Sequence, residues 1–271
     1  MMKTSRIDHL FKDKQENILA IYFTAGYPEL EDTVPVMEAI EEGGADIIEV
    51  GMPFSDPVAD GPTIQESNKI ALDNGMSLKK LFEQLAKMRE TVTLPVILMG
   101  YLNPIIQYGV EEFCKKCQEV GVDGLILPDL PMQQYLEEYK DIFSQYGLKN
   151  TFLISPQTSE ERIKAIDQNS DGFIYMVSSH SITGAKSGIS EEQERYFERV
   201  AELGIQNPRL IGFGISDHES FGKASKHAHG AIIGSAFIKV LNNADRANLK
   251  RDIGNFIKGI KNGEYDYTSK A

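Results

Sequence analysis

The chain has 271 residues, 41% of them hydrophobic and 25% charged, with a net charge of −12. That acidic balance argues against nucleic acid and against an anionic membrane surface as partners. It leaves room for a phosphorylated substrate, because backbone N–H groups can hold a phosphate inside an acidic protein.

Ser5 to Lys14 reads as a short amphipathic helix, with Ile7, Leu10 and Phe11 on one side. Ile18 to Thr24 is a buried strand that stops at Gly26-Tyr-Pro28. A helix over Glu29 to Glu42 ends at Gly43-Gly44. The next strand starts at Asp46, and an extra helix is predicted over Thr63 to Leu72. Ser77 caps a helix that runs to Arg89. Pro95 to Tyr101 is a strand, and Asn103-Pro104 opens a loop beyond it. Helix Val110 to Val120, strand Asp123 to Leu127, helix Gln133 to Tyr146, strand Asn150 to Ile154 and helix Ser159 to Asn169 follow. Gly172 to Val177 is a strand, then a polar stretch from Ser178 to Ser190 leads into helix Glu191 to Leu203. Strand Arg209 to Phe213, a helix capped by Ser216 and reaching about Ala224, and strand Gly230 to Gly234 come next. Ser235 opens a closing helical region, and Tyr265 to Ala271 reads as a frayed tail.

These are eight short apolar runs, each followed by a helix. Continuous apolar runs indicate strands buried on both faces, as in a parallel sheet. Eight β/α units in a chain of this length predict a closed (β/α)8 barrel forming one domain over residues 1–271, with residues 1–14 as an N-terminal helix. A doubly wound open sheet is the alternative. Two cysteines give no disulfide framework, no run approaches the ~18 apolar residues of a membrane span, and Met1 to Phe11 lacks a signal-peptide core. A cytoplasmic location is expected.

The most informative stretch is Asp46-Ile-Ile-Glu-Val-Gly-Met-Pro-Phe-Ser-Asp-Pro-Val-Ala-Asp-Gly-Pro62. Strand alternation puts Ile47, Glu49 and Gly51 on one face, so Glu49 is a carboxylate in an apolar wall. Such a group is costly unless paired or protonated. Gly51 beside it leaves room, for instance for a ligand. Asp60 returns on a loop stiffened by Pro53, Pro57 and Pro62. One acid in an apolar wall and one on a loop suit proton transfer, whereas a strand-end Glu paired to Lys or Arg is the purely structural alternative. Polar and turn-forming residues collect after the strands, at the end where barrel active sites are built, and Glu49 lies near that end.

Gly212-Phe-Gly214-Ile-Ser216 follows the seventh strand and Gly234-Ser235-Ala236 the eighth. Glycine at both strand-to-helix junctions lets backbone N–H groups approach an oxyanion, so a phosphate is expected there. Ser178 to Gly188 reads as a lid or as an ordinary loop. Cys114-Lys-Lys-Cys117 lies inside a helix with no second pair, and His227-Ala-His229 has nothing near to complete a metal shell; neither is expected to bind metal. Lys186 lies in the lid stretch and not in an apolar strand, which is unsuited to a Schiff base.

Ile48-Glu49-Val-Gly-Met-Pro-Phe-Ser-Asp-Pro-Val-Ala-Asp60-Gly-Pro-Thr-Ile-Gln65 closely resembles the signature of the tryptophan synthase alpha chain family. Thr24-Ala-Gly-Tyr-Pro28, Met99-Gly-Tyr101-Leu-Asn103-Pro104, Thr183-Gly184 and the two glycine loops fit in order, so the resemblance covers nearly the whole chain. It implies a TIM barrel that cleaves indole-3-glycerol phosphate to indole and glyceraldehyde 3-phosphate. It implies a beta-chain partner carrying pyridoxal phosphate, in an alpha2beta2 heterotetramer, and no cofactor in this chain. By position it makes Glu49 and Asp60 catalytic acids. It assigns phosphate contacts to Gly184, Phe213, Gly214, Gly234 and Ser235. Its indole pocket falls on Tyr22, Met99, Ile126 and Tyr175, with Tyr101 and Thr183 close by, and Asp56, Pro57 and Asn103 face the partner. Tyr22 departs from the family's frequent Phe, and His180-Ser181 departs from its lid sequence.

Overall fold

Buried parallel strands need neighbours on both sides, and here closure supplies them. The computed structural model describes residues 5–177, 190–212 and 214–263. Strands β1 (Ile18–Thr24), β2 (Ile47–Gly51), β3 (Val96–Met99), β4 (Gly124–Ile126), β5 (Lys149–Ile154), β6 (Ile174–Val177), β7 (Arg209–Gly212) and β8 (Gly230–Ile233) pair in sequence order into a closed barrel. All are parallel, and β8 returns to β1 with Ile18 opposite Gly230 and Ile21 opposite Ile233. That seam rules out the open sheet. The predicted lid at Ser178 to Gly188, with Lys186, and the predicted tail at 265–271 lie outside the described residues.

The helices before β3 are α1 (Arg6–Asp13), α2 (Thr33–Gly43), α3 (Pro62–Asp73) and α4 (Leu78–Leu85). Beyond it come α5 (Leu102–Tyr108), α6 (Val110–Val120) and α7 (Met132–Gln134), which passes through a π-helical turn, Tyr135–Tyr139, into α8 (Lys140–Gln145). The rest are α9 (Glu160–Asn169), α10 (Glu191–Glu202), α11 (His218–His227), α12 (Ser235–Asn243) and α13 (Leu249–Asn262).

Side-chain alternation divides the core in two. Ile48, Val50, Leu98, Leu125, Ile211 and Ile233 face outward into the layer between strands and helices. Ile18, Ala20, Ile47, Ile97, Ile126, Phe173, Leu210 and Ile232 fill the barrel itself. α1 closes the end where the strands begin. Ser5 caps it reciprocally with Asp8, and its buried Ile7 and Phe11 join the interior cluster, with Phe11 5.9 Å from Phe173 between ring centres.

Two local readings need correction. Asn103-Pro104 does not open a loop but lies in α5, because proline is tolerated in a first helical turn, where its missing N–H has no partner to lose. The Asp129 carboxylate takes the Leu102 N–H at 3.0 Å and anchors that turn. α11 is capped by Asp217 rather than Ser216, and runs on to His227. The Asp217 carboxylate accepts the Ser220 N–H at 2.8 Å, while the Ser220 hydroxyl accepts the Asp217 N–H.

Candidate active site

Glu49 lies in the middle of β2, with Tyr22 of β1 opposite on one side and Ile97 of β3 on the other. Its side chain is 0% exposed, and neither carboxyl oxygen has a hydrogen-bond partner among the described residues. No Lys or Arg pairs with it there, so the structural reading of a strand-end ion pair finds no support. Burial pushes its pKa up to about 8, so the acid is held mostly protonated at neutral pH.

Asp60 reaches the same end of the barrel from the β2–α3 loop. Although it sits on a loop, the carboxyl is buried, with Tyr101 packed over it. The Tyr101 hydroxyl donates to Asp60 Oδ2 at 3.0 Å and accepts the Ala59 N–H at 2.9 Å. Burial raises the Asp60 pKa to about 6, with the Tyr101 hydrogen bond pulling the other way. The loop is held from α3 as well. Asn68 accepts the Phe54 N–H at 3.1 Å, and Gln65 donates to the Asp60 carbonyl at 2.9 Å.

A narrow cleft opens at this mouth, lined by Tyr22, Asp60, Met99 and Tyr101 together with Met52, Asn68, Gly100 and Pro128. The last four were not anticipated as site residues. Asn68 could have been suspected as a polar residue at helical spacing from Ile64, whereas the others carry no chemical signal in the sequence. Ile126 and Tyr175 lie in the interior cluster beneath, and Tyr175 feels the charge of both Glu49 and Asp60.

The space above Gly51 is not left for a ligand. A Cβ there would lie 2.2 Å from the Tyr22 hydroxyl, so the phenol rests on the glycine. Tyr175 sits on Gly212 in the same way, again 2.2 Å from where a Cβ would be. Glycine thus serves as a seat for tyrosine rings on two walls of the barrel. Burial first, then the Asp60 charge, raises the Tyr22 pKa, so its phenol stays protonated.

The proposed phosphate end is partly visible. Gly214 has a left-handed φ of +76°, which glycine adopts without strain. Gly234 is the N-cap of α12 and has no side-chain cap, so the first N–H groups of that helix, beginning at Ser235, are left for an outside acceptor. Gly234 also borders Tyr22, whose Cδ1 would be 3.3 Å from an added Cβ. Thr183, Gly184 and Phe213 lie outside the described residues.

A family model for the tryptophan synthase alpha chain matches residues 9–262. The chain belongs to the tryptophan synthase alpha chain family.

It is 57% identical over 248 residues to the tryptophan synthase alpha chain of Christiangramia forsetii, covering 92% of this chain and 95% of that one. It is 50% identical over 258 residues to the one from Phocaeicola vulgatus, covering 95% and 100%. Among solved structures, the tryptophan synthase alpha subunit of Legionella pneumophila superposes with a TM-score of 0.85 at 34% identity, over 96% of this chain and 98% of that one. Tryptophan synthase alpha chains are carbon–carbon lyases of tryptophan biosynthesis that cleave indole-3-glycerol phosphate to indole and D-glyceraldehyde 3-phosphate, and membership gives this chain that activity.

Asp56 and Asn103 are exposed and Pro57 half-buried, beside two exposed apolar side chains, Val58 at 77% and Ile106 at 49%. Cys114 and Cys117 are buried on α6, with burial pushing the Cys114 thiol up to about 12. Among the described residues no group of three or more His, Cys, Asp or Glu side chains could hold a metal, and no helix is long and apolar enough to cross a membrane.

Proposed function

We propose that the cleavage of indole-3-glycerol phosphate in this chain is carried by Glu49 as acid then base, with Asp60 stabilising the charged indole. Breaking a bond to an aromatic carbon would leave a carbanion. Protonating that ring carbon first turns the ring into an electron-accepting iminium. Removing a proton from the neighbouring side-chain hydroxyl then opens the carbon–carbon bond as a retro-aldol cleavage. Glu49 begins protonated, gives its proton to the ring carbon, and as carboxylate takes the hydroxyl proton. Asp60 is ionised above about pH 6 and accepts the indole N–H as positive charge develops.

The observation that carries this reading is the unpartnered, buried Glu49 carboxyl on the barrel's inner face, with its raised pKa. Tyr22, Met99, Tyr101, Ile126 and Tyr175, with Thr183, are the walls for the flat indole. Gly214, Gly234 and Ser235, with Gly184 and Phe213, are the phosphate end. Support for that polarity comes from the uncapped start of α12, which lies beside Tyr22. A phosphosugar isomerase on the same barrel would want polar groups on both sides of a sugar carbon, whereas the mouth cleft sets Asp60 and Asn68 among Tyr22, Met52, Met99, Tyr101 and Pro128.

No cofactor in this chain enters these steps. The beta chain, carrying pyridoxal phosphate, joins the released indole to serine, and the working assembly is an alpha2beta2 heterotetramer docked through Asp56, Pro57 and Asn103. A cytoplasmic setting fits this chemistry. The test is indole production from indole-3-glycerol phosphate by the purified chain, with and without a beta chain. No indole in either arm refutes the reading, and no enhancement by the beta chain refutes the partner.

A further inference from the structure

A hollow lies at the opposite end of the barrel from Glu49 and Asp60. It measures about 380 Å³ and is lined by Gln15, Glu198, Glu202, Arg209, Lys226, His227 and His229, with two alanines. Arg209 opens β7, His229 immediately precedes β8, Gln15 follows α1, and the others sit on the last turns of α10 and α11 or just outside them. The His227-Ala-His229 pair, discounted as a metal site, is therefore part of a cavity of different chemistry.

Arg209 is the unusual member. Among the described residues its Nε is buried with no hydrogen-bond partner, and its Nη1 meets the Val200 carbonyl at 3.4 Å. No carboxylate lies within ion-pair distance of it among the described residues. Asp167, which acts on it from further off, is occupied by the backbone N–H groups of Gln206 and Asn207 and by the Asn207 amide. A half-buried guanidinium with an idle inner donor is costly, and an oxyanion is the partner its fork geometry fits. Lys226 adds a second cation at the rim. His229 accepts the Arg209 backbone N–H on Nδ1 at 3.2 Å, which leaves its proton on Nε2 as a further donor.

Two features oppose a highly charged ligand. Glu198 and Glu202 stand exposed at the rim, and the carbonyl ends of α10 and α11 point to this side. Both act at the exposed periphery, whereas Arg209 is half-buried in the lining, so a compact oxyanion is favoured over a polyanion. We propose that this hollow is a second ligand site, which binds one phosphate or carboxylate group on Arg209, with His229 and Lys226 beside it. The ligand would tie the end of α1, through Gln15, to the starts of β7 and β8.

The experiment titrates the full chain with inorganic phosphate, and in a second arm with acetate, at constant pH and ionic strength set by chloride. The readout is the imidazole NMR resonances of His227 and His229, which report this end of the barrel and not the mouth. Saturable shifts are expected with at least one probe, weakened at least ~10-fold in Arg209→Met, the loss expected for a charge-assisted hydrogen bond. A response to phosphate alone identifies a phosphate ligand, and one to acetate alone a carboxylate. Shifts with neither probe, or shifts undiminished in folded Arg209→Met, overturn the proposal. Should Arg209→Met not fold, Arg209→Lys keeps the cation without the Nε donor, and undiminished binding by that variant overturns it equally.

Discussion

The Tyr101 hydroxyl donates to Oδ2 of Asp60 at 3.0 Å. The Tyr101 hydroxyl oxygen also accepts the Ala59 N–H, so one phenol fixes both the loop backbone and the carboxylate that the loop carries. Tyr101→Phe removes the donor that favours the ionised form. The Asp60 pKa should rise above about 6, and the acid limb of kcat/KM should move to higher pH. An unmoved limb in the variant's pH–rate profile would show that Tyr101 does not set this group.

In the parent chain the two carboxyls predict a bell. Asp60 must be ionised, so activity should fall as pH drops below about 6. Glu49 must start protonated, so activity should fall as pH rises above about 8. A kcat/KM profile for indole release flat from pH 5 to 9 would contradict both assignments.

Glu49→Gln keeps the shape and loses the transferable proton. The expected loss in kcat is at least ~10²-fold, the usual size of a general acid–base contribution. Near-normal turnover by the purified variant would remove Glu49 from the chemistry. Asp60→Asn should lower kcat more than it weakens binding, since the ring charge appears only during reaction.

Glu49 should also be visible in stability. Its folded pKa, about 8, lies above the ordinary 4.5, so the folded chain holds this proton more tightly than the unfolded one. The resulting stabilisation is fully present below pH 4.5 and is lost as pH rises through about 8. Glu49→Gln has no proton to lose, so its Tm advantage over the parent should grow across that window. A constant difference in thermal melts from pH 5 to 9 would speak against the buried acid.

Gly51→Ala places a methyl group 2.2 Å from the Tyr22 hydroxyl. The ring must leave its seat, and overpacking of this kind costs roughly 1–3 kcal/mol. Because the hydroxyl is the nearest atom, Tyr22→Phe in the Gly51→Ala background should restore part of the loss in a denaturant melt. A double variant no more stable than Gly51→Ala alone would show that the ring is not what the methyl meets.

The chain itself determined much of this molecule. Eight apolar runs separated by amphipathic ones can be satisfied only if strands are covered on both faces, so the barrel was legible from patterning. The face occupied by Glu49 followed from alternation alone, since a period of two leaves one choice. Local rules misjudged Pro104 and Ser216, where contacts from Asp129 and Ser220 decide how a helix starts. The tertiary structure alone decided how the site is furnished. That Asp60 is buried under Tyr101, that Tyr22 rests on Gly51, and that Met52, Asn68 and Pro128 share the mouth depend on contacts between elements far apart in the chain. Spacing along the chain reports which side chains share a face of one strand or helix. Which groups meet across the barrel, and hence which proton is held and how tightly, is set by closure, because burial and Coulomb interaction act through space.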